Sequence, residues 1–171
     1  IPSKFILPEE AEQFRTYANS LTFTTHIENN IKYSFDAMKV MFSSGNTTER
    51  FHFSTIRCAG PDEVVVDMFA GIGYFTLPIA KHSGLKILYA LEKNPDSVAF
   101  LKINAFQNGV ADKIEVRCGD NRSALSDDLL GQCDRVMMGY IPCCKEFLPR
   151  AVAFLKSRRM EKEVAAALTS R

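Results

Sequence analysis

The feature that most restricts the fold of this chain is a short apolar strand that leads directly into a glycine-bearing turn. Residues 64–66 are three consecutive valines, and a β-branched run without polar alternation is typical of a parallel strand buried on both faces. The segment from Asp67 to Gly73 follows. Gly71 and Gly73 let its backbone turn sharply and approach a ligand without a Cβ in the way. This arrangement predicts the first strand and the ligand-binding turn of an open α/β sheet.

Further strands and helices alternate after this turn. Strands are predicted over 87–91, 113–117 and 135–138, and helices over 74–82 and from Asn94-Pro95 onward. Strands that alternate with helices pair in parallel through right-handed crossovers, so the pattern predicts a doubly wound α/β sheet. Ahead of the sheet, residues 23–35 alternate apolar and polar side chains around a turn at Asn29-Asn30, which predicts a β-hairpin.

The composition excludes several classes of protein. A hydrophobic fraction of 46% is too high for a disordered chain, and no apolar run approaches the roughly 20 residues of a membrane span. We therefore predict no membrane partner. A formal net charge of +1 argues against a uniformly basic nucleic-acid binder. Basic side chains nevertheless outnumber acidic ones from Lys145 to Arg171, and this segment, with a helix predicted over 164–168, could meet RNA phosphates.

The number and spacing of the cysteines bear on redox state and metal binding. The five are Cys58, Cys118, Cys133, Cys143 and Cys144. An odd count without a CxxC pair matches neither a disulfide framework nor a zinc site. We predict reduced, mostly buried thiols, no bound metal and a cytoplasmic location.

Acidic side chains at the ends of two further strands point to a nucleoside ligand. Glu92 ends the second strand, where a carboxylate can accept hydrogen bonds from both hydroxyls of a ribose. Asp120 follows the third strand and could bond the amino group of adenine. Because ligands of open α/β sheets bind beyond the carboxyl ends of the strands, both carboxylates are expected beside the glycine turn.

Two nucleoside classes fit this pattern. A dinucleotide usually requires a third glycine for its pyrophosphate, and Thr76 stands at that position here. Asp67, directly before the turn, disfavours an anionic diphosphate and favours a cationic ligand. S-adenosylmethionine carries a sulfonium and an ammonium group, so it is the favoured ligand, and a dinucleotide is the alternative.

Two segments of the chain resemble a known family. Residues 41–50, Met-Phe-Ser-Ser-Gly-Asn-Thr-Thr-Glu-Arg, and residues 67–75, Asp-Met-Phe-Ala-Gly-Ile-Gly-Tyr-Phe, are similar to those of class I S-adenosylmethionine-dependent tRNA enzymes that modify guanosine 37 or its tricyclic derivative. The resemblance covers roughly Thr24 to Leu155. It implies a class I methyltransferase-like (Rossmann-like) doubly wound sheet, preceded by a small β-hairpin region.

This family has two branches, which the residues after the fourth strand help to separate. The tRNA (guanine-37-N1)-methyltransferases carry an asparagine there, where this chain has Gly139. The chain is more similar to the tRNA wybutosine-synthesizing protein 2 branch. That similarity implies transfer of the 3-amino-3-carboxypropyl group of S-adenosylmethionine to the tricyclic wybutosine precursor at position 37 of tRNA(Phe), with release of methylthioadenosine. A methyltransferase and a catalytically inert RNA- or cofactor-binding module are the alternatives.

The resemblance also implies a role for individual residues. Ser43 and Arg50 would hold the methionine end of the cofactor, with Arg50 as the cation for its carboxylate. Glu92 would bind the ribose, and Asp120 and Asn121 the adenine.

Further cofactor contacts are expected in the glycine turn and after the fourth strand. They are Asp67, Phe69, Gly71 and Gly139. Tyr140 is a candidate contact for the target base, and Tyr140 and Arg50 are the candidate catalytic residues. No general base stands out in the sequence.

Domain organisation and assembly complete these expectations. Residues 1–60 are predicted to form the N-terminal hairpin and cofactor-contacting segment, and 61–171 the Rossmann-like catalytic core. The chain offers fewer strands than this fold usually has, so we expect a catalytic core with missing parts. The expected partner is tRNA(Phe), and a monomer is favoured.

Overall fold

The computed structural model describes residues 8–55 and 59–157, in which helices and strands alternate. The α-helices are α1 (Pro8–Ala18), α2 (Thr47–Thr55), α3 (Thr76–His82), α4 (Pro95–Gln107) and α5 (Leu148–Phe154). The strands are β1 (Phe23–Glu28), β2 (Ile31–Asp36), β3 (Val64–Asp67), β4 (Ile87–Glu92), β5 (Ile114–Cys118) and β6 (Arg135–Met137). Short 3-10 turns precede α2, β5 and α5 and lie between β5 and β6.

A four-stranded parallel sheet in the order β5-β4-β3-β6 forms the centre of the fold. Val66 in β3 lies opposite Tyr89 in β4 and Val136 in β6. Every strand predicted for this sheet is present, with ends that differ from the prediction by one residue. The predicted doubly wound α/β sheet is therefore confirmed.

The sheet is covered on both faces, as the unbroken valine run of β3 requires. Successive side chains of a strand point to opposite faces, and neighbouring valines of β3 accordingly enter different apolar clusters. Val65 packs in the cluster that contains Leu101 of α4, whereas Val66 packs in the cluster that contains Phe154 of α5. Both valines are fully buried.

The predicted hairpin is also confirmed. Strands β1 and β2 pair antiparallel, with Phe23 opposite Asp36 and Glu28 opposite Ile31. Asn29 and Asn30 form the turn with φ of 50° and 61°, the left-handed region that asparagine tolerates. The hairpin is not isolated, since buried side chains of β2 share the apolar cluster of Val65.

Two asparagines, one in α4 and one directly after it, attach the hairpin to the sheet domain. Asn104 is fully buried, and its Oδ1 accepts a hydrogen bond from the backbone N–H of Ser34 at 2.7 Å. Its Nδ2 donates to the carbonyl of Ile72 in the glycine turn at 3.1 Å. Nearer the surface, Asn108 bonds both the N–H and the carbonyl of Lys32. Strand β2 pairs with β1 along one edge, and these side-chain amides bond backbone groups of β2 that do not pair with a second strand.

Several sequence expectations differ from the structure or lie outside it. The thiols are not mostly buried: among the described cysteines Cys133 is buried, whereas Cys118 and Cys143 are exposed because they lie at or beyond the ends of strands. Cys58 and the helix predicted over 164–168 lie outside the described residues. Within the described ranges, no helix has the length and apolar character needed to cross a membrane.

Candidate cofactor site

The glycine turn joins β3 to α3 at the carboxyl edge of the sheet. Gly71 and Gly73 have φ of +55° and +104°, which side-chain-bearing residues rarely adopt. A Cβ on Gly73 would lie 2.6 Å from Cγ of Leu77 and 2.8 Å from Cδ1 of Leu101. Both the backbone angle and the packing of α3 and α4 therefore require glycine at position 73.

Glu92 at the end of β4 is fixed against this turn. Its Oε2 accepts the backbone N–H of Gly71 at 2.8 Å, and its Oε1 accepts the backbone N–H of Asn94 at 2.7 Å. A carboxylate oxygen has two lone pairs, so each oxygen retains an acceptor site after these bonds. The side chain is thus oriented in advance and can still accept hydrogen bonds from ligand hydroxyls.

A cavity of about 270 Å³ opens beside Glu92 at the carboxyl ends of the strands. Five of the predicted site residues line it: Phe69, Glu92, Asp120, Asn121 and Tyr140. Five residues that the sequence did not single out complete the wall: Met68, Lys93, Gly119, Arg122 and Phe147. The three strand-end positions proposed for a nucleoside, after β3, β4 and β5, therefore meet at one cavity.

Asp120 contributes a charged acceptor to the cavity wall. Arg122 bonds both of its carboxylate oxygens, with Nε–Oδ1 at 3.0 Å and Nη2–Oδ2 at 2.9 Å. Lys93 lies 3.9 Å from the same carboxylate. The hydrogen bonds from Arg122 are the main reason why the pKa of Asp120 lies well below its ordinary value. Asp120 is therefore an anion at neutral pH.

Asn121 contributes a buried acceptor. Its Nδ2 donates to the carbonyl of Met68 at 2.7 Å. Its Oδ1 is buried and has no hydrogen-bond partner in the described part of the chain. An unsatisfied buried acceptor costs about 1–3 kcal/mol, so a ligand donor that reached this atom would stabilise the protein. The amino group of an adenine is such a donor.

Three aromatic rings form the apolar side of the cavity. The ring centroid of Phe69 lies 4.8 Å from that of Tyr140 and 4.8 Å from that of Phe147. Tyr140 and Phe147 are 5.2 Å apart, and the guanidinium of Arg122 lies 5.1 Å from the Phe147 centroid. Tyr140 is partly exposed, so its ring can contact both the cavity and a partner outside it.

Asp67, in contrast, is not among the residues that line the cavity. The side chain is fully buried, and its carboxylate accepts hydrogen bonds from Thr76 Oγ1 at 2.7 Å and from the N–H of Phe69 at 3.2 Å. Burial raises the pKa of Asp67 to about 6, and the neighbouring charge of Glu92 contributes to this shift. Any effect of Asp67 on a ligand is therefore electrostatic or acts through the turn.

Ser43 and Arg50 also lie outside the cavity wall. Arg50 is only 1% exposed, and its Nε and Nη2 donate to the two carboxylate oxygens of Glu28, both at 2.9 Å. Its Nη1 donates to the carbonyl of Ser43 at 2.8 Å. These bonds hold the pKa of Glu28 below its ordinary value. The charge predicted to face a ligand carboxylate is thus already paired within the protein, and the direct contact stays a prediction.

Gly139 follows β6 next to the ring of Phe75. A Cβ at position 139 would lie 2.6 Å from Cε2 of Phe75, closer than real contacts permit. Phe75 in turn packs edge-on against Phe53 of α2, with centroids 5.1 Å apart. With Phe75 in this position the strand end has no room for an asparagine side chain.

Part of the predicted basic segment has a structural role. Arg150 donates to the carbonyl of Asn121 at 3.2 Å and to the carboxylate of Asp127 at 2.6 Å, so it ties the backbone of a cavity residue to the turn that follows β5. Lys156 pairs with Asp134. Residues 158–171 lie outside the described part of the chain, so the RNA contact stays a prediction.

The residues that sequence reasoning missed fall into two groups. Met68, Lys93, Gly119 and Arg122 each adjoin a predicted residue, so extending each strand-end motif by one position would have found them. Phe147 and Glu28 belong to other parts of the chain and carry no motif that marks them. Within the described ranges no group of three or more histidine, cysteine or acidic side chains could hold a metal ion.

The chain matches known proteins over most of its length. The family model described as the TRM5/TYW2 methyltransferase domain matches residues 24–161. The tRNA wybutosine-synthesizing protein 2 homolog of Danio rerio is 48% identical over 132 residues, which cover 77% of this chain and 31% of that protein. The Pyrococcus horikoshii tRNA(Phe) (4-demethylwyosine(37)-C(7)) aminocarboxypropyltransferase is 42% identical over 135 residues, 79% of this chain and 46% of that enzyme. The chain thus spans less than half the length of these two relatives.

Solved structures of TYW2 and of a tRNA m1G37 methyltransferase are also similar to this chain. M. jannaschii TYW2 in complex with AdoMet superposes with a TM-score of 0.73 and is 40% identical, over 81% of this chain and 60% of that one. The M. jannaschii tRNA m1G37 methyltransferase superposes with a TM-score of 0.67 but is 29% identical, over 79% of this chain and 40% of that one. Together, the glycine turn, the parallel sheet and the match over residues 24–161 lead to one conclusion: this chain belongs to the TRM5/TYW2 methyltransferase domain family.

Proposed function

We propose that this chain binds S-adenosylmethionine and transfers its 3-amino-3-carboxypropyl group to the tricyclic wybutosine precursor at position 37 of tRNA(Phe). The observation that carries the proposal is the difference in identity between two kinds of relative. The chain is clearly more similar to the TYW2 proteins, among them a tRNA(Phe) aminocarboxypropyltransferase, than to the m1G37 methyltransferase of similar fold.

The cavity supports a nucleoside as the fixed part of the ligand. Its acceptors suit an adenosine: Glu92 is oriented for the ribose hydroxyls, and the unpartnered Oδ1 of Asn121 and the charged Asp120 suit the adenine amino group. Phe69 and Phe147 provide an apolar surface for a flat ring. These residues fit S-adenosylmethionine, whose charged sulfur activates each of its three attached carbons.

The reaction requires the chain to present one of those carbons to the base. A new bond forms between a ring carbon of the base and the γ-carbon of the methionine portion. The bond from that carbon to sulfur breaks with its electron pair, and the base releases a proton. Methylthioadenosine leaves. Since the carbon that lies in line with the attacking atom reacts, the protein contributes mainly by orienting both partners and excluding water.

The residues after β6 support transfer of the 3-amino-3-carboxypropyl group over methylation of a guanine. The packing of Phe75 against Gly139 leaves no room there for a side chain that could bond the edge of a guanine. Tyr140, next along the chain, is partly exposed at the cavity and is our candidate contact for the tricyclic base.

A double-label experiment tests the proposal. The protein is incubated with tRNA(Phe) carrying the tricyclic precursor and with S-adenosylmethionine labelled either in the methyl or in the carboxyl carbon. We expect carboxyl label in the RNA and methyl label in released methylthioadenosine. Tyr140→Phe serves as a variant and Tyr89→Phe, on β4 outside the cavity, as its matched control.

The other outcomes identify the alternatives. A parallel reaction uses tRNA whose guanosine 37 is unmodified, because N1 of the base is free only there. Methyl label in that RNA, with no carboxyl label in either RNA, indicates a methyltransferase. Binding of S-adenosylmethionine without transfer of label to either RNA indicates an inert binding module. Either result would contradict the proposal.

We also infer that the protein works as a monomer in the cytoplasm. The described cysteines are free thiols, which is typical of a reducing compartment. Light scattering coupled to size-exclusion chromatography measures the mass directly, and a dimer would contradict the inference.

A further inference from the structure

Residues 41–46, which we call the strap, are the part of the connection between the hairpin and α2 that directly precedes α2, and three successive residues of the strap are held by contacts. The hydroxyl of Tyr74, in the glycine turn, donates to the carbonyl of Met41 at 2.5 Å. The Nη1 of Arg50 donates to the carbonyl of Ser43 at 2.8 Å. Between them, the ring of Phe42 packs in an aromatic cluster with His26, Tyr33, Phe35 and Tyr74. The strap is therefore attached both to the glycine turn and to α2.

The hold on Ser43 depends on a residue at the tip of the hairpin. Glu28 is the last residue of β1, and its carboxylate receives both Nε and Nη2 of Arg50 in a bidentate pair. The remaining contacts of the guanidinium include Thr47 Oγ1 at 3.1 Å and the face of Phe42 at 4.9 Å. Within the described residues, Glu28 is the acidic side chain that neutralises Arg50.

Arg50 and Glu28 depend on each other because both side chains are largely buried. Arg50 is 1% exposed and the side chain of Glu28 is 15% exposed, so neither charge is freely solvated. Removing one partner of such a pair leaves a buried charge without compensation, and the other partner then moves or recruits water. Because Arg50 also holds the Ser43 carbonyl, a displaced guanidinium releases the strap at that point.

We propose that Glu28 is a positioning residue: it fixes Arg50, and through Arg50 it fixes Ser43 against the methionine end of S-adenosylmethionine. The inference rests on the proposed function for the identity of that ligand and on the predicted contact of Ser43 for the place of its methionine end. It assigns a role to the hairpin, which carries Glu28 to α2, and it replaces a direct contact between Arg50 and the ligand carboxylate by an indirect one.

The direct and indirect roles of Arg50 make opposite predictions for two variants. If Arg50 met the ligand carboxylate as a charge, Arg50→Lys would keep most of the affinity, and Glu28→Gln would free the cation and strengthen binding. In the positioning role both variants weaken binding. A lysine cannot form the bidentate pair and the Ser43 bond together, and a glutamine leaves the guanidinium without its counter-charge.

Calorimetric titration of the wild type and the variants with two ligands tests the proposal. S-adenosylmethionine has the methionine end, and methylthioadenosine lacks its amino and carboxyl groups. We expect Glu28→Gln and Arg50→Lys each to lower the affinity for S-adenosylmethionine about tenfold and the affinity for methylthioadenosine less than about twofold. The double variant should bind no more weakly than either single variant, because both break one unit. Glu115→Gln, which removes a carboxylate that pairs with Arg117 on β5, is the matched control and should change neither affinity.

Three results would overturn the proposal: full affinity of Arg50→Lys, tighter binding by Glu28→Gln, or an equal loss for both ligands. Failure of the wild type to bind S-adenosylmethionine would instead contradict the proposed function. If Glu28→Gln does not fold, Glu28→Asp keeps the charge but is one methylene too short for the same bidentate contact, and the same selective loss is expected.

Discussion

The two halves of the candidate site are built in different ways. The nucleoside half, Glu92, Asp120 and Asn121, lies at the ends of neighbouring parallel strands, and backbone N–H groups orient Glu92 directly. The strap half, residues 41–46 with Arg50 and Glu28, is held by side chains from the hairpin, α2 and the glycine turn. The first half follows from the sheet itself, whereas the second depends on contacts between separate elements.

Because the two halves are built differently, we expect them to serve different parts of the ligand. A nucleoside pocket made from strand ends suits any chemistry that uses the same nucleoside. The strap half carries Ser43 and Arg50, the residues predicted to hold the methionine end of the ligand, which is the part that differs between methyl and carboxypropyl transfer. We therefore expect the choice of reaction to depend on this half. The following predictions test this comparison, beginning with the change that should affect the protein most.

Gly73→Ala should disable the nucleoside half and destabilise the whole domain. A Cβ at this position would lie 2.6 Å from Leu77, and φ of +104° is unfavourable for alanine. Overpacking and backbone strain together should lower the free energy of unfolding by about 4 kcal/mol, measured by urea denaturation. Binding of S-adenosylmethionine should be lost.

Gly109→Ala is the matched control for this change. Its φ of +69° is also positive, but a Cβ there would have nothing within 4 Å. It should therefore lower the free energy of unfolding by only about 1 kcal/mol and leave binding intact. Equal effects of the two substitutions would mean that backbone strain, and not close packing of the turn, determines the need for glycine.

The two halves also differ in how far the sequence predicts them. The valine run at 64–66 and the position of Glu92 at a strand end predict the sheet and the nucleoside cavity, because a parallel strand has a fixed direction and its end a fixed place. Nothing local marks Glu28 as the partner of Arg50 or Phe147 as part of the cavity. Such contacts depend on how the hairpin and α5 pack, which periodicity does not encode.

Asn104→Ala should separate the hairpin from the glycine turn. The substitution leaves the N–H of Ser34 and the carbonyl of Ile72 buried without partners, so we expect a loss of about 3 kcal/mol in the free energy of unfolding. Asn108→Ala removes similar bonds to Lys32 near the surface, where water can replace them, and should cost about 1 kcal/mol. Urea denaturation of both variants measures the difference, and equal losses would contradict a special role for Asn104.

Asp67→Asn should change how stability depends on pH. Burial raises the pKa of Asp67 from 3.8 to about 6, so the native state holds a proton that the unfolded chain has released between these values. In the wild type this group therefore lowers stability as pH rises from about 4 to about 6, by up to about 3 kcal/mol. The amide keeps the shape of the side chain but does not titrate.

The measurement is the difference in unfolding free energy between Asp67→Asn and the wild type from pH 4 to pH 8. The free energy of unfolding of the variant, relative to that of the wild type, should rise steadily up to about pH 6 and then stay constant. A difference that did not vary with pH would show that Asp67 is already charged when the protein is folded at low pH. In that case neither burial nor the charge of Glu92 would keep Asp67 protonated in the folded protein.

Glu92→Gln should give the smallest effect and the clearest comparison between the halves. A glutamine has one acceptor oxygen, so it can accept from Gly71 or from Asn94 but not from both, and it loses the negative charge beside the ribose. We expect affinity for S-adenosylmethionine to fall about tenfold, equivalent to about 1.4 kcal/mol. Methylthioadenosine has the same ribose, so its affinity should fall equally. The ratio of the two affinities, measured by calorimetry, should therefore stay at its wild-type value in Glu92→Gln and change in Glu28→Gln. A selective loss of S-adenosylmethionine in Glu92→Gln would mean that this carboxylate also serves the methionine end, and the two halves would then not act separately.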